Sequence, residues 1–319
     1  MAHSSMAAST AGASPRRPLA GAGTSRWGEK VIKTFLALCA AFSILVTTGI
    51  VISLVVPTVN FFGQIPLVEF LTGTTWAPAF ANPSFGVLPI VVGTLIVVVT
   101  ALAVAIPVGL ASAIYLSEYA SSRVRKVVKP ALEVLEGIPT VAIGLFAFFF
   151  MRPLAERYLP FLPWDTPFSI GIAGVAVGLL IVPLVASVSE DAMRSVPAGL
   201  REGAYALGAS KMRVSMRVIF PAAISGIIAA VVLGTSRAIG ETMVVLIAAG
   251  AGNPNLTFNW FGSAQTMTAY IGGTATGDIS QGTVVYDTIF AVGALLFTMT
   301  LTMNIIATRL VRRFREVYE

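Results

Sequence analysis

The sequence predicts an all-α membrane protein of about six transmembrane helices, and three observations carry that prediction. Of the 319 residues, 56% are apolar and 11% charged, with a mean hydropathy of +0.85. A soluble domain of this length covers its core with roughly a quarter of its residues charged. The apolar residues fall into six long runs, at 31–56, 86–116, 132–151, 168–189, 222–250 and 284–308. Runs of this length cross a hydrocarbon layer about 30 Å thick as helices, whereas barrel strands show short alternating segments.

The third observation is the placement of basic residues. Arg16, Arg17, Arg26, Lys30 and Lys33 precede or open the first run, and Arg123, Arg125, Lys126 and Lys129 follow the second. Arg194, Arg201, Lys211, Arg213 and Arg217 follow the fourth, and Arg309, Arg312, Arg313 and Arg315 close the chain. Those segments hold 18 of the 21 Lys and Arg residues, while the opposite loops hold only Arg152 and Arg157. The positive-inside rule then makes this a multi-pass protein of a cell membrane with both termini and the loop 190–221 cytoplasmic. Because the positive charge lies between apolar runs, the net +6 points to an anionic membrane face and not to nucleic acid.

In chain order, residues 1–28 are rich in Ala, Ser, Gly and Arg and read as a disordered cytoplasmic tail, followed by a transmembrane domain at 29–319. The run from Val31 to Val56 is too long for a cleaved signal and reads as a retained first span. Cys39, the single cysteine, reads as a small packing residue in that span, so neither a disulfide nor a thiolate metal site is expected. The outer loops 57–85, 152–167 and 251–283 are rich in turn residues, and Trp76, Trp164 and Trp260 read as interfacial anchors. Pro107, Pro139 and Pro183 are expected to kink or break their spans. Glu133 and Glu136 near the start of the third span are expected to pair with Lys126 and Lys129, and Asp287 to cap the sixth.

Two segments carry candidate function. The cytoplasmic loop contains Glu202-Gly203-Ala204, then Gly208, then Val218-Ile219-Phe220-Pro221. It reads as two short amphipathic helices broken at Gly208, with Tyr205, Leu207, Met212, Val214 and Met216 as apolar contacts. Such a piece fits either a groove on another protein or the lipid surface. In the fifth span, Arg237 and Glu241 are four residues apart and are expected to share one helix face. Charges at that depth cost roughly 2.5–3.5 kcal/mol each and call for a partner or a wet cavity. The pair is either an ion pair fixing the packing or an anion pathway. In the second case Arg237 donates to a tetraoxyanion and Glu241 accepts from a protonated oxygen, favouring phosphate over sulfate.

The loop spacing resembles the EAA-type loop of importer permeases in the ATP-binding-cassette superfamily. Glu202, Ala204, Gly208 and Pro221 match that pattern, while Gly203, Val218 and Phe220 depart from it. The stretch Arg237-Ala238-Ile239-Gly240-Glu241-Thr242-Met243 is similar to phosphate-specific permeases, as are Phe85–Ile90, Ile106–Gly109, Tyr115–Tyr119 and Glu136–Thr140. Thr75-Trp76-Ala77-Pro78 looks more like their C-type subunit. The resemblance implies a type I ABC importer permease of MetI-like architecture whose loop docks on an ATPase. The partners it implies are a related A-type permease, an ATPase dimer and an external phosphate-binding protein. None of the five lysines follows a glycine, so the chain has no phosphate-binding P-loop; no cofactor is expected on it, and ATP and Mg are expected on the partner. An ion-coupled carrier of an oxyanion is the alternative. A membrane enzyme is disfavoured, since the sole histidine, His3, lies in the tail.

Overall fold

The computed structural model describes residues 26–250 and 252–313. The expected tail lies outside the described residues except for Arg26–Gly28, which already belong to the first helix, α1 (Arg26–Gln64). The part of α1 up to Ser53 forms a unit by itself, in which no described side chain is buried. Cys39 is therefore exposed on this helix, contrary to its expected packing role.

The second unit begins at Leu54. Its centre is a pair of long helices, α3 (Leu88–Ile114) and α7 (Ile170–Arg194), preceded by the short α2 (Leu67–Thr72) and a two-stranded hairpin of β1 (Trp76–Ala77) and β2 (Ser84–Phe85). Without a hydrophobic driving force between helices in lipid, close approach through small residues supplies the attraction. A Cβ on Gly178 would lie 2.8 Å from the Ala101 carbonyl oxygen, and one on Gly109 would lie 2.8 Å from Val185 Cγ1. Around this seam Ala101, Ala105, Ala173, Val177 and Ile181 form a fully packed core. Pro107 and Pro183 sit inside these two helices, and neither is broken there.

The expected third and fifth spans are not single helices. After a π turn at Tyr115–Tyr119, α4 (Ser122–Glu136) is a separate amphipathic helix with no buried side chain. Pro139 restricts Ile138 to extended backbone and cannot continue the helical ladder, so the chain bends by 88° before α5 (Thr140–Phe146). A π turn at Ala147–Met151 carries α5 on into α6 (Arg152–Tyr158). The loop 190–221, expected on the cytoplasmic side, forms α8 (Ala198–Ala206), α9 (Lys211–Val214) and α10 (Phe220–Ala222), with a π turn at Ser215–Ile219. A 71° bend then leads into α11 (Ile224–Gly240), which stops at Glu241 before α12 (Met243–Ala248).

Part of the expected outer loop 251–283 is a further helix, α13 (Met267–Ala275), which packs on the last helix, α14 (Val284–Arg313). Thr283 caps α14 by accepting from the Tyr286 N–H at 3.2 Å, so the cap is not Asp287, which stands in the first turn. Trp76 is not an interfacial anchor: it is buried, edge-on to Phe70 and Tyr270 in an aromatic cluster with Phe61 and Phe85. Trp164 is half-buried under the guanidinium of buried Arg152, 4.5 Å from its ring centre, and Trp260 remains partly exposed.

Candidate functional site

The two interrupted helices meet. Gly144 of α5 lets the backbone of α12 approach, its Cβ position lying 3.2 Å from Val244 Cα, so the segments following both breaks pack together. On the other side of the breaks, Arg237 in the last turn of α11 reaches Glu136, the final residue of α4, with Nη1 3.6 Å from Oε1. Both side chains are about a third exposed. Among the described residues the guanidinium Nε is buried without a partner. Next to it, the Ser236 hydroxyl donates to Asn304 Oδ1 at 3.0 Å and ties α11 to α14.

Glu241 does not share a helix face with Arg237, because α11 ends at Gly240 and Glu241 has extended backbone. Its carboxylate turns forward and Oε1 accepts from the Val244 N–H at 3.3 Å, satisfying a donor of the new helix. Its carbonyl, released from the ladder, accepts from the Thr268 hydroxyl at 2.7 Å. A broken helix in an apolar setting needs such substitutes, because free backbone polar groups cost several kcal/mol there, on the order of 2–7. The segment before α13 is itself tied down, with the Met267 N–H donating to Thr94 Oγ1 at 3.0 Å.

The charges of α4 also pair differently from expectation. Lys129 binds Glu190 at 2.8 Å and also Asp191, and Arg125 lies 2.8 Å from Glu190, so α4 is pinned to the end of α7. Glu136 pairs with Arg237 instead of Lys126 or Lys129, a contact 101 positions apart that local helical spacing does not reveal.

The loop segment is rigid at its base and exposed at its tip. Arg201 binds Glu118 at 3.1 Å and donates to the Met193 and Val196 carbonyls, both at 2.7 Å. Lys211 lies 5.0 Å from the Tyr119 ring centre. Gly208 has φ +76° between α8 and α9, and a Cβ there would meet nothing within 4 Å. Glu202, Gly203 and Pro221 are exposed and Ala204 half-buried. Leu207 is 90% exposed and Met212 69%, whereas Val214 turns inward to a core with Met193, Ile219 and Ile227 and offers no outside contact.

Residues 105–316 match the family described as binding-protein-dependent transport system inner membrane component. The probable ABC transporter permease protein YqgH of Bacillus subtilis is 33% identical over 270 residues, 84% of this chain and 86% of that protein. The phosphate transport system permease protein PstC of Haemophilus influenzae is 31% identical over 304 residues, 89% and 93% of the two chains. PstC 1 of Mycobacterium tuberculosis is 32% identical over 276 residues, 77% and 82%. Among solved structures, a chain of a bacterial alginate ABC transporter with its periplasmic protein superimposes with a TM-score of 0.64 at 17% identity, over 91% of this chain and 97% of that one. A chain of the inward-facing MetNI methionine ABC transporter gives 0.52 at 20%, over 72% and 95%. The breaks, the exposed glycine-hinged loop and the all-helical core thus sit on a shared fold, and the chain belongs to the family of binding-protein-dependent transport system inner membrane components.

Proposed function

We propose that the chain is the C-type permease subunit of an ATP-driven importer of inorganic phosphate, and that it forms part of the translocation pathway. The observation that carries the reading is Arg237: an intramembrane guanidinium, a third exposed, with a buried Nε that has no partner among the described residues. Planar, delocalised donors of this kind match a tetraoxyanion. The relatives named as phosphate permeases supply the substrate class. A related A-type permease completes the pathway, an external phosphate-binding protein delivers the anion, and an ATPase dimer, holding ATP and Mg, supplies the work. By the positive-inside rule the α8–α9 tip and both termini face the cytoplasm, where Leu207 and Met212 present apolar side chains to the ATPase.

Glu241 serves as the discriminator in this scheme. One oxygen caps α12, and the other is the acceptor for the proton that phosphate carries near neutral pH and sulfate lacks. Glu241→Gln removes that charge and keeps the amide oxygen available to the Val244 N–H. Sulfate is expected to leave phosphate uptake by the wild type unaffected and to inhibit the variant competitively. Full phosphate uptake with sulfate still excluded would refute this role.

A further inference from the structure

We infer that Glu136 is a resident counter-anion of Arg237, which occupies the guanidinium when the pathway is empty, yields it to the incoming anion, and so blocks passive anion flow. This rests on Arg237 being the anion-binding group, and adds to it a residue on a different helix.

The electrostatics of the two helix ends make the pair unequal. Arg237 stands in the last turn of α11, where the partial negative charge of the helix terminus favours a cation. Glu136 is the last residue of α4, where the same field disfavours a carboxylate. Among the described residues Glu136 has no other ion-pair partner, so Arg237 alone compensates it. The hold is also loose. A single Nη1–Oε1 approach of 3.6 Å exceeds hydrogen-bonding range, and both groups remain about a third exposed.

Arg237, in turn, is only partly served by Glu136. Its Nε is buried and unpartnered, and one carboxylate oxygen at 3.6 Å leaves most of the five guanidinium donors unused. A tetraoxyanion offers several oxygens in the fork geometry and engages the Nη groups, which Glu136 leaves without a hydrogen bond. Exchange of one anion for the other therefore gains hydrogen bonds without leaving the guanidinium bare at any stage.

The backbone gives Glu136 somewhere to go. It is followed by Gly137 and the Ile138–Pro139 break, where the chain bends by 88°. The rest of α4 is held elsewhere, by Arg125 and Lys129 on Glu190. A carboxylate at the free end of an anchored helix, beside a hinge, is released by side-chain rotation alone. The same position links the pathway to the charged cluster at the end of α7, whose chain continues into the α8–α9 tip.

The test uses the assembled transporter, with both permeases and the ATPase, in proteoliposomes loaded with radiolabelled inorganic phosphate and free of ATP. Glu136→Gln is expected to leak phosphate about fivefold faster than wild type, the size set by loss of one partly exposed pair. Glu136→Asp keeps the charge and is expected to leak at less than half the rate of Glu136→Gln. If Glu136→Gln does not assemble, Glu136→Cys in a Cys39→Ser background carries the test: a sulfonate-bearing methanethiosulfonate reagent restores the negative charge and lowers the leak, and a neutral methyl reagent does not. Wild-type leak rates in Glu136→Gln, or equal sealing by both reagents, would overturn the inference. Arg237→Gln run in parallel separates the two readings, because unchanged ATP-driven uptake in that variant removes the anion site itself, whatever Glu136 does.

Discussion

Arg237→Gln is expected to lower phosphate uptake by about 10- to 100-fold, the loss of one or more charge-assisted hydrogen bonds worth about 1.5–3 kcal/mol each. The variant keeps a polar though shorter side chain, and α11 retains its Ser236–Asn304 tie to α14, so the helix stays in place. Glu136 loses its cation but remains about a third exposed. Assembly with the partner permease and ATPase, read by co-purification, is therefore expected to persist while transport falls. Arg237→Lys distinguishes charge from geometry. It keeps the positive charge as a point donor, loses the planar fork, and should fall between wild type and Arg237→Gln. Loss of assembly in parallel with transport would instead make Arg237 a packing residue.

The second large effect is expected at Gly208, in the turn between α8 and α9. Its φ of +76° joins α8 to α9, and its N–H donates to the Tyr205 carbonyl at 2.9 Å. Gly208→Pro removes that donor and fixes φ near −65°, so the native turn cannot form. Leu207 and Met212, the two most exposed apolar side chains of the tip, lose their relation to one another. Coupled uptake is expected to fall at least about tenfold, with the ATPase no longer co-purifying, because the conformational change exceeds what a solvated loop absorbs. Insertion should survive, since no atom lies within 4 Å of the Cβ position and the Arg201–Glu118 anchor precedes the turn. Gly208→Ala isolates the backbone contribution: it retains the N–H, strains only φ by about 1–2 kcal/mol, and should be milder. Unimpaired uptake in Gly208→Pro would remove the loop from the coupling route.

The long helices were legible because a continuous apolar run determines both length and environment, as α3 and α7 show. The breaks were legible only where a residue forbids the helix. Pro139 announces the 88° bend, although hydropathy carried the expected third span straight through it. Glu241 carries no such mark. Nothing in Ile239-Gly240-Glu241-Thr242 excludes a helix, and the interruption depends on Thr268 accepting the role of partner to a freed carbonyl from 27 residues away. The Arg237–Glu136 contact was illegible for the same reason, since sequence spacing reports neighbours along one helix and not those across a fold. Trp76 and Val214 show the complementary error. Both are apolar residues near polar ones, read by composition as facing outward, and tertiary packing buries each. The hinge at Gly208 was readable because left-handed backbone favours glycine, a local requirement.

The central claim is that this chain conducts phosphate under the control of ATP hydrolysis on a partner. Its most direct test is uptake of radiolabelled phosphate by proteoliposomes holding the assembled transporter and its phosphate-loaded binding protein, with ATP supplied on the ATPase side and no ion gradient imposed. Uptake that requires ATP and falls with Arg237→Gln is the predicted result. Uptake that follows a proton gradient in the absence of ATP would contradict the account and make the protein an ion-coupled carrier.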